Sequence, residues 1–151
     1  MIMLLAAVVL YCDRISASNL FYTPDSTEYA IAAHRFATAG EYKIPIENRW
    51  LPPHYPPWFS ILVLSPVYLL LGTEIGNAIY PVTIFSIGGI IIAFLLGKKI
   101  GGNWGGIFAS FAVLALPLYR YWSKHVMTDV PATVLMLVAC LLYLWFRNRT
   151  D

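Results

Sequence analysis

The apolar positions of this chain fall into long, nearly unbroken runs, and the length of each run carries the first message. A bilayer core about 30 Å thick takes roughly 20 helical residues. Three runs reach that length: residues 76–97, residues 104–122 (interrupted by Pro117 and Arg120), and residues 126–146. The run that opens the chain gives only about 18 Å before Asp13 and Arg14 intervene. It reads as a first span over residues 1–17, with the charged pair snorkelling at the interface. A cleaved signal peptide is its rival. Ser16, Ala17 and Ser18 suit cleavage, but no positive residue precedes the apolar stretch. A fifth run, residues 58–71, would reach about 21 Å as a helix and follows the proline-rich Leu51-Pro52-Pro53-His54-Tyr55-Pro56-Pro57. It is expected to lie along the surface or to enter the bilayer only partway.

Lys and Arg favour cytoplasmic loops, and their positions choose between topologies. With residues 58–71 at the surface and the N-terminus inside, Lys98, Lys99, Arg147 and Arg149 are inside, four against six outside. If residues 58–71 span, only Arg120 and Lys124 are inside, two against eight. The first arrangement is preferred. It makes residues 13–75 one external loop, and loops of such length usually carry function. Within it residues 25–39 read as an interfacial helix: Asp25-x-x-Glu28 resembles a capping box and Gly40 follows as a C-cap. Tyr29, Ala33 and Phe36 share one face, while Asp25, Glu28 and Arg35 share another. The fold class is therefore all-α, a polytopic transmembrane helix bundle with an external loop carrying interfacial helices over about 25–39 and 58–71.

Composition agrees: 59% of residues are hydrophobic and 12% charged, with mean hydropathy +0.66, so the lipid bilayer is the expected partner. A net charge of +2 without a basic run leaves no electrostatic footprint for nucleic acid. Cys12 and Cys140 sit at different expected membrane depths and should be free thiols.

Two carboxylates stand out. Asp25 is either the N-cap of its helix or a general base that accepts the proton of an attacking nucleophile. Asp129, in His125-Val126-Met127-Thr128-Asp129-Val130-Pro131, heads an apolar span, where an ionisable group is costly and so a functional candidate. The preferred topology puts both on the outer side. Arg120, Lys124 and His125 accompany Asp129, either as interface anchors or as partners of a lipid-linked phosphate. His34, His54 and His125 with the acids are candidates for a divalent metal ion, although no recognised ligand spacing occurs and no cofactor is fixed by the sequence. Gly101-Gly102-Asn103-Trp104-Gly105-Gly106 lacks the Lys-Ser/Thr ending of a phosphate loop and reads as a tight inner turn. Gly72, Gly88 and Gly89 are expected to permit close helix packing.

A short first span, an aspartate opening an interfacial helix, Gly40-Glu41-Tyr42, the segment Pro53-His54-Tyr55-Pro56-Pro57-Trp58, a helix ending in Leu71-Gly72 and Met127-Thr128-Asp129-Val130-Pro131 occur in that order. This order resembles GT-C glycosyltransferases, nearest the protein-O-mannosyltransferase and aminoarabinose-transferase group, along nearly the whole chain. The resemblance implies a membrane enzyme that moves a sugar from a polyprenyl-phosphate carrier to a protein, lipid or glycan acceptor at the outer face of the plasma membrane. Asp25 and Asp129 fall on the family's catalytic positions, with Glu28, Arg35, His54, Tyr55, Arg120, Lys124 and His125 as the expected substrate-binding set. Ser26 stands where many members have a second acid, and Tyr55 where many have lysine. Family members continue through more spans, so this stretch is expected to be an N-terminal part, inactive by itself. The rival classes are a transporter or channel-like bundle, with the two aspartates as ion ligands, and a non-catalytic membrane scaffold. The preferred topology is checked by cysteine labelling from outside, which should reach Asp25→Cys and Lys124→Cys and miss Lys98→Cys.

Overall fold

The structure, a computed structural model, describes residues 23–150, with side chains through Arg147; the expected first span and Cys12 lie outside them. It is 78% helix and holds two helices long and apolar enough to cross a membrane, Ile75–Ala115 and Asp129–Arg147. In chain order the elements are α1 (Pro24–Ala39), β1 (Ile44–Ile46), β2 (Arg49–Leu51), a π-helical segment (Phe59–Leu64) running into α2 (Ser65–Leu71), a 3-10 turn (Ile75–Ala78), α3 (Ile79–Ala115), α4 (Pro117–Trp122) and α5 (Asp129–Thr150). Two compact units divide them, residues 23–82 with 124–128, and residues 83–123 with 129–150.

In the first unit α1 begins one residue before the expected start, and its cap is not Asp25. Thr23, in extended conformation, accepts the Ser26 amide on its hydroxyl, and Pro24 takes the first helical position, where its missing N–H costs nothing. Gly40 closes the helix in the left-handed region at φ 69°. The buried face is Ser26, Tyr29, Ala30, Ala32 and Ala33, which places Tyr29 and Ala33 inward as expected. Glu28 does not face open water, since its side chain is only 14% exposed.

Two short strands depart from the all-α expectation. Ile44 pairs with Leu51, Pro45 with Trp50 and Ile46 with Arg49, around a two-residue turn in which Glu47 (φ 46°) and Asn48 (φ 63°) are both left-handed. That is the turn whose twist matches an antiparallel pair, and asparagine tolerates it.

Residues 59–71 pack on α1 through polar contacts. Ser60 Oγ donates to the Tyr29 carbonyl at 3.1 Å, Ser65 Oγ to Ala33 at 3.1 Å, and Tyr68 Oη to Ala30 at 3.4 Å and Ile75 at 3.0 Å. The π-helical turns have a local cause in Pro66, whose ring disturbs the preceding turn and which offers no N–H. The Ser65 amide and hydroxyl both reach back five residues to the Ser60 carbonyl. The opposite side is bare leucine, with Leu62 72%, Leu69 71% and Leu70 81% exposed, so the outward face is more apolar than the inward one. At about 20 Å the segment is too short to cross a bilayer.

In the second unit α3 contains a reversal. Gly101 (φ −127°, ψ 24°) and Gly102 (φ 64°, ψ −161°) leave helical geometry, the latter in a region open essentially to glycine. The returning arm packs so tightly that a Cβ on Gly97 would stand 2.4 Å from the Gly105 carbonyl oxygen, and one on Gly106 would stand 2.8 Å from that of Phe94. The expected tight turn is therefore there. Residues 79–100 reach about 33 Å, but the returning arm, residues 103–115, reaches only about 20 Å. The interruption of the 104–122 run at Pro117 ends the helix: the chain turns extended at Leu116, ahead of Pro117, and α4 begins there. The last apolar helix starts at Asp129 and not at residue 126, because Val126 is fully buried in the core of the first unit with Tyr29, Phe59 and Tyr68. Pro131 lies in the first turn of α5, as expected. Of the glycines expected to allow close packing, Gly89 does so against Tyr119 and Val134, whereas Gly88 and Gly72 have open space around them. Cys140 is a free, exposed thiol.

Gly97→Ala should destabilise the chain by about 1–3 kcal/mol through overpacking against backbone, whereas Gly88→Ala should leave stability the same or slightly higher. Unfolding of the two variants in mixed detergent micelles checks this; equal effects would remove the Gly97 contact as the hairpin's clasp.

Candidate functional site

Asp25, Glu28 and Tyr29, one turn of α1, face the proline-rich loop and hold two of its residues. Glu28 takes residue 54 with both oxygens: Oε1 accepts the His54 backbone N–H, and Oε2 lies 3.2 Å from His54 Nδ1. Tyr29 stacks on Tyr55 with ring centroids 4.8 Å apart. Tyr42 Oη donates to the Tyr55 carbonyl at 3.0 Å, which fixes the loop from the other side. Neighbouring prolines already restrict the backbone, so few contacts suffice to immobilise it.

Asp25 lies in the first turn of α1, where the helix dipole favours a negative charge, and is half-buried. The nearby Asp25 carboxylate is the largest cause that pushes the Tyr55 phenol up to about 12, followed by desolvation and by the charge of Glu28. A phenolate would meet two carboxylates, so the neutral tyrosine is favoured. The two acids thus differ in occupation: residue 54 uses both oxygens of Glu28, while Asp25 has the neutral phenol of Tyr55 as its neighbour.

Arg35, two turns further along α1, is committed to the hairpin. Its Nη2 is 3.1 Å from Glu41 Oε2, and its guanidinium lies over the Trp50 ring at 4.5 Å. Arg35 and then Lys43 hold the Glu41 carboxyl below its ordinary value. Tyr42, Glu41 and Trp50 were missed as members of this cluster. Gly40-Glu41-Tyr42 was legible as a motif, but no spacing rule links Tyr42 to Tyr55.

The remaining expected residues are placed as follows. Lys124 is half-buried and His125 buried, both in the first unit, so His125 is not an exposed interface anchor. Arg120 is exposed in the last turn of α4, and Asp129 is exposed in the first turn of α5. Both belong to the second unit, where Asp129 borders a cleft of about 290 Å³ with Leu116, Leu118, Tyr119, Trp122, Val130 and Thr133. Among the described residues no group of three or more His, Cys, Asp or Glu side chains is arranged to hold a metal ion. The chain matches no family model, no curated protein and no solved structure.

The Asp25–Tyr55 contact has a defined pH window. Tyr55 ionises at a higher pH in the folded chain than in the unfolded one, so the contact stabilises fully below pH 10 and is lost as pH rises through about 12. The difference in alkaline phenolate absorbance between wild type and Tyr55→Phe should therefore show a midpoint near 12, moving back toward 10 in Asp25→Asn. A wild-type midpoint near 10 would exclude the contact.

Proposed function

We propose that this chain carries the catalytic loop of a membrane glycosyltransferase of the GT-C kind, which takes its sugar from a polyprenyl-phosphate carrier at the outer membrane face. Asp25 is the general base. It removes the proton of the acceptor nucleophile as that atom bonds to the anomeric carbon. The bond from that carbon to the phosphate oxygen breaks, and its electron pair leaves with the polyprenyl phosphate. The neutral phenol of Tyr55 stands beside Asp25 as its orienting partner, and the Glu28–His54 clamp keeps Tyr55 in place. A part for Asp129 in holding the donor belongs to the proposal on the family resemblance alone.

The observation that carries this reading is the contrast between the two acids of α1. Glu28 is engaged through both oxygens by residue 54, whereas Asp25 combines partial exposure, a helix N-terminal turn and a neutral phenol as its neighbour. The reading is further supported by the leucine face of residues 59–71, which suits hydrocarbon and would seat the site at the membrane interface. The polytopic bundle and the plasma-membrane location belong to this proposal, with residues 79–100 and α5 as its spans.

Asp25→Asn tests it. Thr23, not Asp25, caps α1, so the substitution removes only a dipole contribution of about 0.3–1 kcal/mol together with the acceptor charge for Tyr55. Transfer from a polyprenyl-phosphate sugar in liposomes, by the product of the complete reading frame matched for folded protein, should fall by roughly 10²- to 10⁴-fold in turnover. Asp129→Asn should lower it less. Wild-type turnover in Asp25→Asn would reduce Asp25 to a charge that favours its helix.

A further inference from the structure

The clamp of Glu28 on residue 54 contains one contact that the loop does not need. Three others already fix the loop: the His54 backbone N–H on Glu28 Oε1, the stack of Tyr29 on Tyr55, and the Tyr42 bond to the Tyr55 carbonyl. The bond from His54 Nδ1 to Glu28 Oε2 is a fourth, and what it adds is the orientation of the ring. A carboxylate only accepts, so Nδ1 carries a proton and Nε2 is left as the nitrogen open to a ligand.

The two partners are unequally buried. The Glu28 side chain is 14% exposed and that of His54 74%. A histidine kept for packing covers its ring, whereas here the carboxylate is covered and the ring is presented. Among the described residues none bonds Nε2. A shielded acid that fixes the tautomer and direction of an imidazole leaves the other nitrogen to act on a substrate.

Asp25 and Glu28 are three residues apart on one face of α1, with Cβ atoms roughly 5–6 Å from each other. The ring held by Glu28 and the Asp25 carboxylate therefore belong to one surface. Displacement at an anomeric carbon takes two such groups, one at the incoming atom and one at the leaving oxygen. With Asp25 at the incoming atom, the leaving oxygen is the place open to His54. That oxygen belongs to a phosphate, which a charged N–H donor suits.

We propose that His54, oriented by Glu28, donates from Nε2 to the phosphate oxygen that leaves the sugar. The inference rests on the transfer reaction assigned to Asp25 and adds to it the group that receives the leaving phosphate. The ring acts with a proton on each nitrogen. As the bond from the anomeric carbon to oxygen breaks, its electron pair passes to the phosphate, and a diester anion becomes a monoester with one more negative charge. The Nε2 proton meets that charge, while the proton of the acceptor goes to Asp25. His54 is thus a catalytic residue and Glu28 a positioning one.

Two measurements test it, both on the product of the complete reading frame. In the transfer assay His54→Gln should lower kcat by roughly 10- to 100-fold and change the KM of the donor by less than about threefold, because the contact strengthens as charge develops. Imidazole added to His54→Ala should restore part of the turnover and should restore none in Asp25→Asn. Glu28→Gln keeps an acceptor for the backbone N–H and should still lower kcat, with the double variant within about twofold of His54→Gln, since the pair acts as a unit. The second measurement needs no turnover: in detergent micelles farnesyl phosphate should shift the His54 imidazole resonance of the wild type, and farnesol should not. This arm decides the matter if the variants do not fold. Wild-type kcat in His54→Gln, with Asp25→Asn inactive, overturns the inference and leaves the reading of Asp25 intact. A loss in His54→Gln with no imidazole rescue of His54→Ala, together with a resonance indifferent to farnesyl phosphate, overturns it too and reduces His54 to a brace of the loop. Failure of the wild type to transfer sugar would remove the reaction, and with it both assignments.

Discussion

The hydroxyls of Ser60, Ser65 and Tyr68 all donate to backbone carbonyls of α1, at Tyr29, Ala33 and Ala30, and the rest of the loop unit is arranged around that fact. Small and hydroxylated side chains let two helical backbones approach closely, and alanine at 30, 32 and 33 leaves the room. The polar atoms of the segment are thereby turned inward and its leucines outward. In water this would be an unfavourable inversion, because exposed leucine forfeits its burial energy. Against hydrocarbon the preference reverses: the leucines cost nothing and each inward hydroxyl must be bonded, as each is.

The same packing makes the site a rigid one. Phe59 is fully buried and meets Tyr29 edge to face at 5.4 Å, so the residue that leads out of the proline-rich loop and the residue that stacks on Tyr55 share one anchor. His54 and Tyr55 therefore cannot shift without disturbing the core. In the proposed reaction a carboxylate beside so fixed a loop would need little reorganisation as charge develops, which is the physical content of preorganisation. Glu28 serves that end by binding the backbone of the loop.

How much of this was legible in the sequence depends on the range of the signal. α1 and its terminal Gly40 were readable because helix caps and periodicity are local, and the reversal at Gly101–Gly102 because paired glycines have few other uses. The cap itself was misread. Asp25 and Thr23 both suit an N-cap, and Pro24 settles the choice for Thr23 by preferring the first helical position. The hairpin escaped notice because strands of three residues are shorter than any window in which alternation shows. The start of the last span was set too early because Val126 reads as apolar wherever it goes, and only the fold reveals that it enters the core with Tyr68. Asp25, His54 and Tyr55 were recognisable as motif residues; the clamp of Glu28 on residue 54 was not, since nothing local relates positions 26 apart.

The π-helical turns ahead of Pro66 bear on how this chain changes length over time. Such a turn holds one residue more than the α-helix it interrupts, and Phe59 with Leu64, like Ser60 with Ser65, are brought to the same buried side by a step of five. Loss of a single residue between Ser60 and Ser65 would restore a step of four, and four is the step that keeps an ordinary helix on one face. One-residue deletions inside a helix usually rotate everything beyond them by about 100°. Here the surplus residue gives the segment a place where such a deletion leaves Tyr68 on the same side, so homologous chains of unequal length in this region can share one packing.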